Sequence, residues 1–403
     1  MATPKLNSKK IPKSVPNLDL QNTEVAFADK TNAELKRRYW LFRMMNSEGL
    51  NNFGTKMAEL SLKWHLPVQW AIKATVFKQF CGGETIEECE KTVEELGKSN
   101  IGAILDYSVE GRYEEEDFGR TKEEIIRTIK RAKDDDRVPF AVFKVTGIAP
   151  LGTLEKVSSG KELTEKGEWK WERIRERVNG ICKYAHSIDQ QLFIDAEETW
   201  IQNAIDQLVT EMMEKYNRER PLIFNTIQLY RHDRLEFLKK SHQEAKKNGY
   251  FYAVKLVRGA YMEKERDRAK ELGYESPIQP DKEATDRDYN LALQYCIENI
   301  KEIAVVCASH NEESNRHLVN LITQNNLPID HPNALFSQLY GMSDNLSYNL
   351  AKAGYNVSKY VPYGPIKDTI PYLIRRAQEN SSVKGQMSRE LDLISKELKR
   401  RKL

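Results

Sequence analysis

The chain has 403 residues with 63 Lys and Arg against 60 Asp and Glu, a formal net charge of +3, so it lacks the basic excess of nucleic-acid binders and any anion site must be local. Its 40% hydrophobic content supports a proper core, and no apolar run reaches the roughly 18 residues that a membrane-spanning helix needs. Five cysteines (Cys81, Cys89, Cys182, Cys296 and Cys307) share no CxxC or zinc spacing, so they read as buried thiols of a reducing compartment rather than as metal ligands or a disulfide framework.

Residues 1 to 30 are polar, with several prolines and lysines, and are expected to form a flexible segment. They have no signal-peptide apolar core; lysine and serine without arginine leave a mitochondrial presequence open beside a bacterial cytoplasm. Residues 31–98 read as a helical region. Asn32 to Met45, Asn51 to His65 and Val68 to Phe80 have helical apolar spacing, Gly82 and Gly83 close this cap, and Thr85 to Leu96 follows with Ile86, Cys89, Val93 and Leu96 on one stripe.

From residue 99 to 380 a short apolar run, a polar turn and an amphipathic helix alternate. The runs are Ile101 to Tyr107, Phe140 to Val145, Gln191 to Asp195, Leu222 to Leu229, Tyr252 to Val257, Ile303 to Ala308, Ala334 to Leu339 and Val357 to Val361. Helix signals between them include Thr121 with Glu124 as a capping box, Asp233 to Gly249, Asn311 to Gln324 and Asp344 to Gly354. Gly152 to Gly167 reads as a long loop. Eight βα units in about 280 residues predict an α/β fold of the (β/α)8 TIM-barrel type, with a doubly wound sheet as the alternative. Residues 381–403 form a basic helical tail, either a solvated helix or a contact for a membrane surface.

In such a barrel the active site is built where the strands end at their C-terminal side. Those ends carry Asp106 with Tyr107, Lys144 with Thr146, Asp195 with Glu197 and Glu198, Gln228 with Tyr230, Arg258 with Gly259 and Tyr261, Ser309 with His310 and Asn311, Gln338 with Tyr340, and Tyr360 with Tyr363. Lys144 follows four apolar residues and needs a carboxylate partner; Asp195 is the expected one in the protein, and the pair is either structural or part of a ligand site. His310 could be a ligand, a base or a helix start, but with no second histidine beside it the residues do not make a metal site. After the last strand, Ile366 to Glu379 reads as a helix that Pro371 kinks or begins, with Tyr372, Arg375, Arg376 and Glu379 on one side. Two adjacent guanidiniums suit a small bidentate carboxylate, or an ion pair of Arg375 with Glu379 on a solvated face.

Taken in order, VFK, DAEE, IQLY, KLVRGAY, ATDRDYN, ASHN, QLYGM, KYVPYGP and PYLIRRAQEN closely resemble the proline dehydrogenase family, of the monofunctional type, from about Gly102 to Asn380. The resemblance implies a distorted barrel that binds FAD without a covalent bond, oxidises L-proline to 1-pyrroline-5-carboxylate and passes electrons to a membrane quinone. It implies that Arg375, Arg376 and Lys144 bind the proline carboxylate, that Asp195 and Glu379 support those cations, and that Tyr261, Tyr360, Tyr372 and Leu339 enclose the ring, with Ala260 nearby. On the cofactor side it implies Gln228, Val257, Arg258, Gly259, Ser309, His310 and Asn311, with Thr285 and Tyr289 further out. Lys255 stands where some relatives have arginine. The alternatives are hydroxyproline oxidation, a flavin- or amino-acid-binding barrel without turnover, and a cofactor-free lyase on the same fold.

Overall fold

The computed structural model describes residues 18–46, 72–109, 114–382 and 386–403, without the side chains of residues 375–387. Eight parallel strands close into one barrel in sequential order: β1 (Ile101–Tyr107), β2 (Phe140–Lys144), β3 (Gln191–Asp195), β4 (Ile223–Gln228), β5 (Tyr252–Val257), β6 (Ile303–Ala308), β7 (Ala334–Leu339) and β8 (Val357–Tyr363). This is the predicted (β/α)8 architecture, and the doubly wound alternative is excluded because β1 pairs with β8. Side chains alternate across each strand, so one set fills the interior and the other packs on the helices. Inside, the Phe140 and Phe193 rings stack with centroids 4.3 Å apart and Phe224 packs edge-on at 5.3 Å from Phe193, closing the lower barrel with Ile104, Ala253, Ala304 and Val306. Along the same inward set, Lys144, Asp195, Gln228, Lys255, Leu339 and Tyr360 come next toward the mouth, which is why these polar groups converge above an aromatic floor.

The helices are α1 (Thr23–Ala26), α2 (Asn32–Met45), α3 (Lys78–Phe80, after a π turn at Lys73–Phe77) and α4 (Ile86–Gly97), then α5 (Glu115–Ala132), α6 (Leu151–Ser158), α7 (Glu165–Ser187), α8 (Thr199–Tyr216) and α9 (Arg234–Asn248). They continue with α10 (Met262–Leu272), α11 (Lys282–Glu298), α12 (Glu312–Gln324), α13 (Asp344–Ala353), α14 (Ile366–Ser382) and α15 (Gln386–Arg400). Gly249 ends α9 with φ +71°, as its position after the last apolar turn predicts. The approach of the chain to the barrel needs Gly82: its N–H donates to Pro362 O at 2.9 Å, and a Cβ there would lie 2.6 Å from the Val361 side chain.

Several expectations need correction. The segment 152–167 is not a long loop, because α6 occupies Leu151–Ser158 and buries Thr153 and Leu154. Thr121 is no helix start; α5 begins at Glu115, and Thr121 lies buried in its interior. Pro371 sits inside a continuous α14 rather than at its beginning. Of the segment expected to be flexible, residues 18–30 are packed, with Leu20, Ala26 and Phe27 almost fully buried, whereas residues 1–17 lie outside the described residues. The helix expected at Asn51 to His65, and the start of the one at Val68, also lie outside them.

The basic tail is a structural element rather than a free helix. On α15, Leu393 and Ile394 join Phe27, Leu35, Leu41, Phe42, Phe80, Tyr372 and Leu373 in a second apolar core outside the barrel. Glu397 is fully buried and receives both Arg400 (2.9 Å) and Arg401 (2.7 Å). Arg401 also donates to Phe27 O at 2.7 Å and Lys30 O at 2.8 Å, so part of the charge that suggested a membrane contact is engaged by the N-terminal helices.

Candidate active site

At the mouth, two carboxylates and two ammonium groups form one cluster. Asp195 Oδ1 pairs with Lys255, and its Oδ2 accepts from the Tyr360 hydroxyl at 2.5 Å and lies 3.5 Å from Lys144 Nζ. Lys144 is nearer to Asp106, at 3.3 Å, and Asp106 also accepts from Ser108 Oγ at 2.5 Å. The expected Lys144–Asp195 partnership is therefore shared with Asp106, which the sequence places among the strand ends at the mouth without marking it as a partner of Lys144. Register explains the sharing: Lys144 is aligned with Asp195 on the neighbouring strand, and β1 flanks β2 on its other side.

Burial alone would push the Asp195 carboxyl up, but Lys255, Lys144 and the Tyr360 hydroxyl together hold it below the usual carboxylate range. Burial, then the charges of Asp106 and Asp195, push the Tyr360 phenol well above its ordinary value, so it stays a donor. Lys255 lies 4.8 Å from the Tyr360 ring centroid and 5.0 Å from that of Phe193, so it is packed into the barrel beneath the cluster. Its partner among the described residues is Asp195, which joins this lysine, expected on the cofactor side, to the Asp195–Tyr360 pair. Lys144 alone of the two lysines reaches solvent appreciably, with 23% of its side chain exposed against 5% for Lys255. Beside the cluster, Glu197 is buried and accepts from Thr146 N at 3.0 Å; burial pushes its carboxyl up to about 7.

Tyr372 on α14 and Leu339 at the end of β7 lie in the outer apolar core that borders the mouth. Arg375, Arg376 and Glu379 belong to the last turns of α14, but their side chains lie outside the described residues. Of the expected carboxylate clamp, Lys144 is the described member. Tyr261 caps α10 and is half-buried, as is Ala260 before it.

On the opposite rim, Arg258 donates to Asp286 at 2.7 Å, to Ser309 Oγ at 2.8 Å and to Ser314 Oγ at 3.0 Å, and its guanidinium lies 4.4 Å from the Tyr289 ring centroid. This fixes the Ser309, His310, Asn311 run at the start of α12, where Asn311 Oδ1 caps Ser314 N at 3.0 Å. Thr285, next to Asp286 on α11, donates its hydroxyl back to Asp281 O at 3.2 Å, and Asp286 makes the contact with Arg258. Gly259, at φ +134°, lies against Tyr230, whose ring a Cβ would meet at 2.5 Å, so the backbone after Val257 and Arg258 runs flat over that tyrosine. Gln228 is 2% exposed, yet its Oε1 has no hydrogen-bond partner among the described residues. A buried amide oxygen left unpaired costs about 1–3 kcal/mol and calls for a donor from a bound group. The residues thus fit a flavin: an orphaned acceptor, an exposed glycine backbone and a hydroxyl-rich helix start lie on adjoining strands β4, β5 and β6.

Residues 89–389 match the family model described as proline dehydrogenase. The chain belongs to the proline dehydrogenase family. It is 42% identical over 271 residues to human proline dehydrogenase 1, mitochondrial, covering 66% of this chain and 45% of the human protein. It is 34% identical over 418 residues to hydroxyproline dehydrogenase of Xenopus laevis, covering 93% of this chain and 88% of the relative. Among solved structures, proline utilization A from Bdellovibrio bacteriovorus, inactivated by N-propargylglycine, superposes with a TM-score of 0.75 at 19% identity, over 93% of this chain and 43% of that one. The chain therefore spans less than half the length of that structure and of the human relative, and the structural likeness extends the family's barrel to this chain. The resemblance read from nine short motifs agrees with the family match.

Proposed function

We propose that this proline dehydrogenase family member oxidises L-proline to 1-pyrroline-5-carboxylate with FAD as cofactor and a quinone as the electron acceptor. The observation that carries the reading is the position of Lys144: a cation at the barrel mouth, held by Asp106 and Asp195 and still partly exposed, next to tyrosines and a leucine. Lys144 attracts the substrate carboxylate, and Arg375 and Arg376, supported by Glu379, complete the clamp. Asp195 pairs with Lys144 and Lys255 and, through the Tyr360 hydroxyl, fixes the ring that walls the pyrrolidine. Leu339, Tyr372 and Tyr261 exclude water around that ring. Gln228, Val257, Arg258, Gly259, Ala260, Ser309, His310 and Asn311 hold FAD, with Thr285 and Tyr289 supporting that rim from α11.

When bound, FAD accepts the hydride that leaves proline C5. The chain's part is to orient the substrate, and positioning of this kind accounts for much of the barrier reduction in bimolecular steps. The cation left by hydride loss gives up its N–H proton to solvent to form the neutral imine; no described residue is required as a base if the amine arrives neutral.

Hydroxyproline oxidation is the second reading, favoured by the Xenopus relative. Tyr360 weighs against it, because its ring is held rigidly by Asp195 and crowds the substrate side. No helix among the described residues is long and apolar enough to cross a membrane, so delivery of electrons to a membrane quinone would use surface contact. By analogy with the human relative, the mitochondrial matrix is a compartment consistent with this role; a bacterial cytoplasm, with the enzyme peripheral on the inner membrane face, is the other. The test is substrate competition: kcat/KM for L-proline should exceed that for trans-4-hydroxy-L-proline, and the reverse order would replace the first reading by the second.

A further inference from the structure

The loop after β7, Leu339 to Asp344, is gripped by four separate elements, three of them outside the barrel. Gln79 Nε2 donates to Gly341 O at 2.8 Å. Lys359 on β8, fully buried, donates to Met342 O and lies 2.9 Å from Asp344 Oδ1. Arg38 on α2 pairs with Asp344 Oδ2 at 2.6 Å. Glu390 on α15 accepts from Ser343 N at 2.6 Å. All four charged groups are buried, and the two cations balance the two anions, which is the condition for keeping such a network inside.

Ser343 is the unusual member. It is the N-cap of α13, in the left-handed region at φ 49° and ψ 41°, yet its side chain caps nothing in that helix. N-cap serines ordinarily spend the hydroxyl on the helix's own N–H groups. Here it pairs with His310 Nδ1 at 2.9 Å, on the cofactor rim, while Leu339 N approaches His310 Nε2 at 3.5 Å. A left-handed serine is costly and persists only where its surroundings hold it. The bond from Ser343 N to Glu390 is the contact that fixes this conformation from the distant end of the chain.

We propose that Glu390 is a positioning residue: through Ser343 it sets the His310 side chain on the cofactor rim, so that the C-terminal helix α15 is a working part of the active site. This rests on the reading of His310 as a cofactor-side residue. The chain order explains how such a role arises, since α15 directly follows α14, and its docking on α2 places Glu390 beside the loop.

The test uses holoenzyme and follows FAD release as flavin fluorescence recovered on dilution, alongside Tm and the separate values of kcat and KM. His310→Ala, Ser343→Gly and Glu390→Leu should each weaken FAD binding about tenfold, the worth of one buried hydrogen bond. Ser343→Gly keeps the left-handed backbone and the N–H, so it reports on the His310 contact even if Glu390→Leu fails to fold. Glu390→Gln retains an acceptor for Ser343 N and should restore FAD affinity to within about threefold of wild type. Glu397→Leu loosens α15 elsewhere and should lower Tm without changing FAD affinity. Combining Ser343→Gly with Glu390→Leu should cost no more than either alone, because both act on one chain of contacts. If His310→Ala leaves FAD affinity unchanged, the cofactor-side reading of His310 falls, and the proposal with it. If His310→Ala weakens binding while Ser343→Gly and Glu390→Leu do not, or if Glu397→Leu weakens it equally, the positioning role alone is overturned.

Discussion

Replacing Asp195 by asparagine removes one negative charge from a buried group of two carboxylates and two ammoniums. Lys255, only 4% exposed, then has no carboxylate of its own, while Lys144 retains Asp106 at 3.3 Å. Breaking a buried pair by removing one partner typically costs about 3–5 kcal/mol. Lys144 adds little to this, since it is partly solvated and keeps a partner. A loss of that size should lower the urea midpoint by about 1–2 M for a chain this long. The pH dependence has a definite sign. The Asp195 carboxyl is held below its ordinary value of 3.8, so its stabilisation is complete above that pH and fades as the pH falls through the lower folded value. The gap between wild type and Asp195→Asn should therefore be constant from neutral pH down to about 4 and close below it. Adding Lys255→Met should recover roughly half of the loss by restoring the charge balance. A single variant costing under about 1 kcal/mol, or a double variant no more stable than the single, would refute the charge-balance argument.

Three further outcomes follow from the geometry. Glu197→Gln should flatten the stability profile, because wild-type Glu197 titrates near 7 when folded against an ordinary 4.5, which removes up to about 3 kcal/mol as the pH rises between those values; parallel urea profiles for the two proteins from pH 5 to 8 would contradict this. Tyr360→Ser should narrow the preference for proline over trans-4-hydroxy-L-proline, a discrimination of about 10 to 200-fold in kcat/KM, by costing proline activity more; an unchanged ratio would mean that Tyr360 only supports Asp195. Truncation after Ser388 should destabilise the protein outright, since it removes Glu390, Leu393, Ile394 and Glu397 from buried positions, and a truncated protein with wild-type Tm would show that α15 is dispensable.

The barrel was legible because each strand is a short apolar run followed by polar residues, and all eight runs can be counted along the chain without knowing what they touch. The convergence of Lys144, Asp195 and Tyr360 was legible for the same reason, as strand ends must share one mouth. Partnerships were harder. Nothing local distinguishes Asp106 from a capping aspartate at the end of β1, and only the β1–β2 pairing register places it beside Lys144. Lys255 followed a family position rather than a contact, and its pairing with Asp195 depends on the width of the barrel between β3 and β5. The α15 helix looked like a solvated tail because its basic end dominates the sequence, while Leu393, Ile394 and Glu397 find partners only on the N-terminal helices. Ser343 gives no sequence signal at all, since a serine before a helix is ordinarily read as a cap.

The central claim, that this barrel oxidises proline with a bound flavin, is tested most directly by anaerobic titration of the purified protein with L-proline while the absorbance near 450 nm is followed. The account predicts a yellow protein whose flavin band bleaches on adding L-proline and returns when a quinone is supplied. A colourless protein that turns over without flavin, or a yellow one whose band proline leaves unchanged, would contradict it.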